Sequence, residues 1–186
     1  MSTPPDLPRR SFLAVLAAGG AGALLPSRPA AGAASPTPPS DVALLNIALE
    51  LEHTAVHAYG VAAGSGLLSR PVLEVGALFR SSHEKHREAL ERAIHQLGGF
   101  PLPRRESYDL SAFELKTEKD VLRLALFLEM KAAHTYRKAL VEFRRKPLLE
   151  AAGRILGDEV SHAAFLRAAL GRGPVAFADP LDEGLE

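Results

Sequence analysis

Apolar residues recur at spacings of three and four along most of the chain, which is the period of an α-helix with one buried face. The first such segment follows Ser40 or Asp41, both good N-caps, and runs to about Ala63 before a Gly-Ser-Gly stretch. The second has Pro71 in its first turn and runs to Leu97, before two glycines. No stretch alternates as a β-strand would.

Two further helices follow in the second half of the chain. Thr117 and Asp120 resemble a capping box at the start of the third helix, which we expect to end near Lys146. Pro147 then opens the fourth helix, which ends at Gly171. The hydrophobic pattern therefore predicts an all-α protein of four helices.

The lengths of the connections indicate how these helices are arranged. The first and last connections are short, so each flanking pair of helices forms an antiparallel hairpin. The middle connection, "GGFPLPRRESYDLSAFELKT", has 20 residues, and at roughly 3.3 Å per residue it can cross a helix of about 40 Å. We expect two hairpins joined by one long crossover; an up-and-down bundle with a loose loop is the alternative.

The segment 1–34 differs in composition from the rest of the chain. Arg9 and Arg10 precede an apolar run from Phe12 to Leu25, and small residues resembling a cleavage site follow. This pattern is typical of a twin-arginine signal peptide and predicts a periplasmic or otherwise extracytoplasmic protein. The apolar run is about 14 residues, shorter than the roughly 20 that span a bilayer, so no stable membrane insertion is expected after cleavage. An uncleaved anchor is the alternative.

The signal peptide prediction sets the expected division of the chain. Residues 1–34 form the signal peptide, 35–40 a linker, 41–172 the helical bundle and 173–186 an extended tail. The 22 basic and 22 acidic residues balance, so no basic surplus exists to drive binding to nucleic acid. Cysteine is absent, which excludes disulfides and thiolate metal ligands.

Each predicted apolar stripe is interrupted near its middle by ionisable residues. These are Glu52 on the first helix, His83 and His86 on the second, Glu129 on the third, and Glu159 and His162 on the fourth.

The positions of these residues within their helices are closely matched. Glu52 lies as far after Asp41 as Glu129 lies after Glu118. His83 and Glu159 are likewise equally far from the prolines that open their helices. Because an α-helix rises by a constant length per residue, all four helices present these groups at one level of the bundle.

The negative charge of the buried carboxylates in this layer must be compensated. A buried carboxylate without a partner costs several kcal/mol, and divalent cations would neutralise three of them. Carboxylate and imidazole donors suit iron or manganese, with zinc possible. The sequence therefore predicts a metal site; a metal-free structural bundle is the alternative, and it must account for six ionisable groups in a core.

A repeated phrase suggests how the site arose. "LEHTAVHAY" at 51–59 and "LEMKAAHTY" at 128–136 share Leu, Glu, Ala, His and Tyr at the same offsets. We interpret the chain as a duplicated hairpin whose two copies each contribute half of one site. Tyr59 and Tyr136 follow their glutamates by seven residues, so each phenol either hydrogen-bonds the metal ligands and relays electrons, or is an ordinary core tyrosine.

The remaining histidines lie off this stripe. His57 and His134 are about 140° from the ligand face and are expected at helix interfaces or on the surface. His53 and His95 are expected to face solvent.

These residues resemble the ferritin-like dimetal-carboxylate superfamily, which includes bacterioferritin and rubrerythrin. "HREAL" and "GDEVSHAAFLRAALG" look more narrowly like the exported bacterial ferritin-like domain proteins. The resemblance implies a ferritin-like four-helix bundle over residues 41–172, with a glutamate on two helices and Glu-x-x-His on the other two. The chain departs from that pattern at His83, where relatives carry a glutamate that bridges two metals. Occupancy by one or by two ions therefore stays open.

The resemblance implies two functions of different kinds. One is a dimetal oxidoreductase, with iron or manganese reacting with oxygen or peroxide; the other is a non-catalytic exported protein that binds or buffers metal. The short fifth helix of 24-subunit cages is not evident after Gly171. We therefore expect a monomer or a homodimer and no cage.

Overall fold

The computed structural model describes residues 40–173 and contains four α-helices and no β-strand over that range. The helices are α1 (Asp41–Gly64), α2 (Arg70–Gln96), α3 (Glu118–Glu142) and α4 (Lys146–Ala169). The predicted all-α class is confirmed. The predicted signal peptide, most of the linker and nearly all of the tail lie outside the described residues.

The starts of the helices follow the predicted signals. The Ser40 side chain accepts a hydrogen bond of 3.2 Å from the backbone N–H three residues on. Thr117 and Asp120 form the predicted capping box, with each side chain accepting a backbone N–H of the other residue. Pro71 and Pro147 both lie in the first turn of their helices, where a missing N–H costs nothing.

The predicted end of α3 near Lys146 is wrong, because the helix ends at Glu142. Phe143 has an extended backbone with ψ 135°, and its buried ring packs into the core. The Asp41 carboxylate accepts a hydrogen bond of 3.3 Å from the backbone N–H of Arg144. The chain leaves the helix at Phe143, three residues before α4 begins, because the phenylalanine ring is buried and the Arg144 backbone bonds to α1.

Contacts between helix ends establish the topology. The backbone N–H of Ser69 donates a 2.5 Å hydrogen bond to Glu118, so α2 and α3 begin at the same end of the bundle. Asp41 lies 3.6 Å from the Arg145 guanidinium, so α1 begins where α3 ends. The segment 97–117 must therefore cross the length of the bundle. Two antiparallel hairpins joined by a long crossover are confirmed, and the up-and-down alternative is wrong.

The crossover is fastened to α1 where it starts. The Asn46 amide donates to the Phe100 carbonyl at 3.1 Å and accepts from the Leu102 N–H at 2.7 Å. His53 Nε2 lies 3.2 Å from the Leu102 carbonyl, and the side chain is 2% exposed. The prediction that His53 faces solvent is wrong, because the crossover covers the side of α1 that would otherwise be its outer face.

Two apolar clusters lie on either side of a polar layer. One packs around the start of α1 and the end of α2, and its members include Leu49, Ile94, Tyr136 and Ile155. The other packs around the end of α1 and the start of α3, and its members include Tyr59, Leu126, Ala163 and Leu166. Among the described helices, none combines the length and apolarity needed to cross a membrane.

The two hydrogen bonds of Asn46 predict a measurable contribution to stability. We expect Asn46→Ala to lower the free energy of unfolding by about 1–2 kcal/mol, because each neutral hydrogen bond contributes about 1 kcal/mol net. Urea denaturation measures this change. Asn46→Asp keeps the acceptor for Leu102 and should lose about half as much; equal losses in both variants would contradict this assignment.

Candidate metal centre

Six ionisable side chains from all four helices converge in the polar layer, and each is at most 7% exposed. They are the predicted residues Glu52, His83, His86, Glu129, Glu159 and His162. They form two overlapping groups, in each of which four potential ligand atoms lie within 4.8 Å of one another. The first group is Glu52, His83, His86 and Glu159, and the second is His83, Glu129, Glu159 and His162.

The helical period explains why these groups form. His83 with His86, and Glu159 with His162, are three residues apart, so both members of each pair face the same side of a helix. The antiparallel α1 and α3 each add one glutamate from the opposite side. His83 and Glu159 belong to both groups and therefore lie at the centre of the layer.

His83 contacts all three carboxylates of the layer. Its Nδ1 lies 2.8 Å from Glu52 Oε2, and its Nε2 lies 3.2 Å from Glu129 Oε1. Its Nδ1 also lies 3.7 Å from Glu159 Oε1. The imidazole thus connects the carboxylates of α1 and α3 through its two ring nitrogens.

His86 is held from outside by a residue that the sequence pattern did not indicate. Its Nε2 lies 3.1 Å from Asp158 Oδ2, while its Nδ1 faces inward, 3.1 Å from Glu159 Oε1. Asp158 is 60% exposed at its side chain and precedes Glu159 by one residue, about 100° round the helix. Because Asp158 is exposed, it does not belong to the buried stripe of α4; its only sequence signal is the acidic pair in "DEVSH".

His162 completes the layer on α4. Its Nδ1 lies 3.3 Å from Glu129 Oε2. Its ring stacks on Phe79, with 4.0 Å between ring centroids and 25° between planes. The stacking fixes the plane of the imidazole, so its nitrogen remains directed at the glutamate.

The two tyrosines pair crosswise between the duplicated helices. Tyr59 on α1 donates to Glu129 on α3, and Tyr136 on α3 donates to Glu52 on α1 at 2.5 Å. Burial, and then the adjacent carboxylate, raise the pKa of both phenols well above the ordinary value. Both therefore remain hydrogen-bond donors, and each leaves the other oxygen of its glutamate for another partner.

Burial and pairing act in opposite directions on the carboxylates. Burial would raise the pKa of Glu52 and of Glu129, but hydrogen bonds from the neighbouring histidines outweigh it and lower both. For Glu159 burial prevails, and its pKa is raised well above the ordinary value. Burial opposes the charged form of His83 and His86, yet the adjacent carboxylates raise the pKa of both. Glu159 is therefore the carboxyl group of the layer whose charged form is least compensated.

The unpaired atoms of the layer fit a cation. Both carboxylate oxygens of Glu159 and Nδ1 of His86 are buried without a hydrogen-bond partner in the described part of the chain. Glu159 Oε1 and His86 Nδ1 are 3.1 Å apart, but the angles between the two groups do not allow a hydrogen bond. Buried polar atoms rarely remain unsatisfied, and an ion bound between oxygen and nitrogen donors would satisfy all three.

The other histidines lie outside both groups. The half-buried His57 packs against Tyr108, with ring centroids 5.4 Å apart, and His95 is exposed. His134 lies 3.4 Å from Arg137 at the surface of α3. These positions agree with the expectations from helical spacing.

Comparisons with known proteins agree with this architecture. The family model described as the ferritin-like domain matches residues 40–172. Among solved structures, the chain is similar to a conserved hypothetical protein, rv2844, from Mycobacterium tuberculosis, at 23% identity and a TM-score of 0.65. The match covers 74% of this chain and 95% of that chain, and at this identity it shows the fold alone. A comparison with curated proteins gives no match.

The crosswise pairs predict that the two tyrosines contribute similarly to stability. Tyr136→Phe and Tyr59→Phe each remove the phenol that donates to a buried glutamate, so we expect each to lower the free energy of unfolding by about 2 kcal/mol. Urea denaturation of the metal-free protein measures both. Tyr108→Phe, on the crossover, is the matched control and should change stability much less; a loss as large as that of Tyr136→Phe would contradict the prediction.

Proposed function

Since the chain belongs to the ferritin-like domain family, we propose that it is an exported protein that binds one or two transition-metal ions in the core of its helical bundle. The proposed metals are iron and manganese, and the proposed chemistry is redox chemistry linked to oxygen or peroxide. One observation carries this proposal. Six buried histidines and glutamates from four helices converge, and three of their atoms lack any hydrogen-bond partner among the described residues.

The donor types support the proposed metals. Three carboxylates and three imidazoles without any thiolate suit iron, manganese or zinc better than copper(I) or an iron–sulfur cluster. When bound, iron or manganese would supply the redox step with oxygen or peroxide, whereas zinc would not. The protein's contribution is to fix the ligands and to keep water out.

The surrounding residues prepare the ligands for this task. The hydrogen bonds from Tyr59 and Tyr136 hold one oxygen of each partner glutamate, which fixes the direction of the other oxygen. Asp158 fixes the ring orientation of His86, so that Nδ1 is presented to the centre. Partners of this kind commonly change metal affinity by about 10–100-fold.

His83 bears on how many ions bind. A glutamate at this position would supply a fourth carboxylate, whereas the imidazole supplies no negative charge and already contacts all three glutamates. This favours one tightly bound ion, with the second position weaker. It also supports the second candidate function, metal binding or buffering without redox turnover, because a single ion lacks the paired redox partner of a dimetal site.

Export rests on the sequence alone. The paired Arg9 and Arg10, the apolar run and the small residues around Ala31 to Ala34 support a twin-arginine route to the periplasm or an equivalent compartment. That route carries folded proteins, so a metal bound before export would accompany the chain. Cell fractionation followed by gel electrophoresis tests this part of the proposal. The exported fraction should contain a shorter, processed band, and the unprocessed band should remain in the cytoplasm.

The first test is the number of metals per chain, measured by plasma mass spectrometry on the full chain after anaerobic loading with Fe(II) or Mn(II). We expect one to two ions per chain, and fewer than half as many in Glu159→Gln, because that residue belongs to both groups. Glu84→Gln is the matched control, since this exposed glutamate lies on α2 directly beside His83. No retained iron or manganese in the wild type would refute the proposal.

Redox chemistry needs a separate measurement. The Fe(II)-loaded protein should consume oxygen or peroxide faster than Fe(II) alone, as followed with an oxygen electrode or a peroxide assay, and Glu159→Gln should lose that excess. The zinc-loaded protein is the control and should consume neither. Full metal retention without any excess consumption would support the buffering function instead.

His83→Glu tests the role of this position in setting the number of ions. The added carboxylate should raise the metal content towards two ions per chain, because it increases the negative charge shared by both groups. The metal-free variant should be less stable than the wild type by a few kcal/mol, since four buried carboxylates then lack the central imidazole. An unchanged metal content would mean that His83 does not limit occupancy.

A further inference from the structure

An apolar pocket lies beside the polar layer, in the half of the bundle where α1 ends and α2 begins. It is partly open to solvent, and its cavity volume is about 90 Å³. Its walls are almost entirely apolar and come from all four helices, among them Ala58, Ala62, Val72, Leu122, Ala125 and Leu166.

Small residues leave this space open. Alanines or glycine occupy positions where a larger side chain would fill the pocket, such as Ala62, Gly76 and Ala125. A Cβ at Gly76 would lie 3.8 Å from the Tyr59 ring, an ordinary contact distance, so α2 packs beside the tyrosine at this position. Protein interiors are normally close-packed, and an apolar pocket of this size departs from that rule.

The first half of α2 leaves its apolar residues partly uncovered. No residue from Arg70 to Ser82 is fully buried, although the stretch reads "PVLEVGALF". Leu73 is 38% exposed and Phe165, across the pocket on α4, is 47% exposed. An apolar molecule in the pocket would cover part of this surface and gain about 25 cal/mol for each Å² removed from water.

One cation lies at the edge of the pocket. The Arg80 guanidinium lines it and lies against α1, where Gly60 has no side chain: a Cβ there would be 3.9 Å from Arg80 Cζ. Its carboxylate partner in the described part of the chain is Glu84, at 3.2 Å from Nε, with both side chains more than 40% exposed. Such exposed pairs contribute little, so another carboxylate can take the place of Glu84 at small cost.

We propose that this pocket binds a straight-chain carboxylic acid of medium length, such as decanoate, with its chain among the alanines and its carboxylate on Arg80. The stretch of α2 from Val72 to Arg80 rises about 12 Å and sets the length available to the chain. A guanidinium recognises a carboxylate through two parallel hydrogen bonds. This binding does not require the metal proposed above.

The position of the pocket gives such a ligand access to the polar layer. Tyr59 and Phe79 line its inner wall. The same two residues contact the layer, Tyr59 through its hydrogen bond to Glu129 and Phe79 through its stacking on His162. A bound chain therefore packs against side chains that hold two of the candidate metal ligands.

Isothermal titration calorimetry of the metal-free full chain tests the proposal with decanoate and decanol, both below their micelle concentrations. Ala125→Leu fills the pocket and should weaken binding of both molecules at least tenfold. Arg80→Gln should weaken decanoate about tenfold and leave decanol unchanged, because it removes a charge-assisted contact. Arg92→Gln is the matched control: this exposed arginine on the same helix also pairs with a glutamate four residues away, and its loss should change neither affinity.

Several results would overturn the proposal. The absence of decanoate binding to the wild type would do so, as would unchanged binding in Ala125→Leu with its helical circular dichroism intact. If that variant unfolds, Ala77→Leu at the exposed rim of the pocket takes its place. Equal effects of Arg80→Gln on the acid and the alcohol would refute the carboxylate contact. Analytical sedimentation tests whether a second copy of the chain occupies the pocket instead. A wild-type dimer that Ala125→Leu dissociates, but that decanoate leaves intact, would indicate this occupant.

Metal content measured on the same preparations separates this proposal from the proposed function. Ala125→Leu should retain the metal content of the wild type, because Ala125 belongs to neither group of candidate ligands. Decanoate binding without metal, or metal without decanoate binding, would each refute only one of the two proposals.

Discussion

The whole bundle is organised around one constraint: three carboxylates and three imidazoles have to share a dry layer at its centre. Removing ionised groups from water costs several kcal/mol for each ion unless partners compensate it. Here Glu52 and Glu129 are paired with histidines and tyrosines of other helices, so neither α1 nor α3 can satisfy its own glutamate. Sliding one helix by a single turn, about 5.4 Å, would place a glutamate against leucines. The layer therefore specifies the register of all four helices, whatever its net effect on stability.

His83 changes the balance of charge in this layer more than any other residue. An imidazole that touches all three glutamates holds the layer together through protein contacts alone, whereas a fourth carboxylate would make it depend on bound cations. The remaining uncompensated atoms belong to Glu159 and His86, on the side where α2 faces α4. A cation would therefore find its unsatisfied ligands on that side of the layer, next to the exposed Asp158.

Much of the architecture could be read from the sequence because its signals are local. Capping residues, prolines and the helical period predict four helices, and the residue count between caps and ionisable groups places these groups at one height. The doubled phrase indicates that two glutamates and two tyrosines are equivalent, though not that each tyrosine pairs with the other copy's glutamate. That pairing depends on how far antiparallel α1 and α3 are offset, and this offset is a property of packing.

The predictions that were wrong share a different physical reason. His53 was expected on the surface because a helical period counts only the face turned to the other helices, and the crossover covers a second face of α1. The end of α3 was placed too late because Phe143 leaves the helix to bury its ring, which no local signal requires. Asp158 and the apolar pocket were missed for the same reason: both depend on what neighbouring helices leave uncovered.

The crosswise tyrosine pairs have a consequence for how this protein could have arisen. Within one hairpin, the glutamate and the tyrosine of the doubled phrase lie seven residues apart on one helix, about 10 Å along its axis, and in this fold each bonds instead to the other hairpin. A single ancestral hairpin would have had to pair with a second copy of itself, and its polar layer would have formed only above a threshold concentration. Fusion through the crossover replaces that encounter with an intramolecular one. The present chain holds both halves of the layer at any dilution, and the two halves can differ, as His83 and Glu159 do at corresponding positions of their helices.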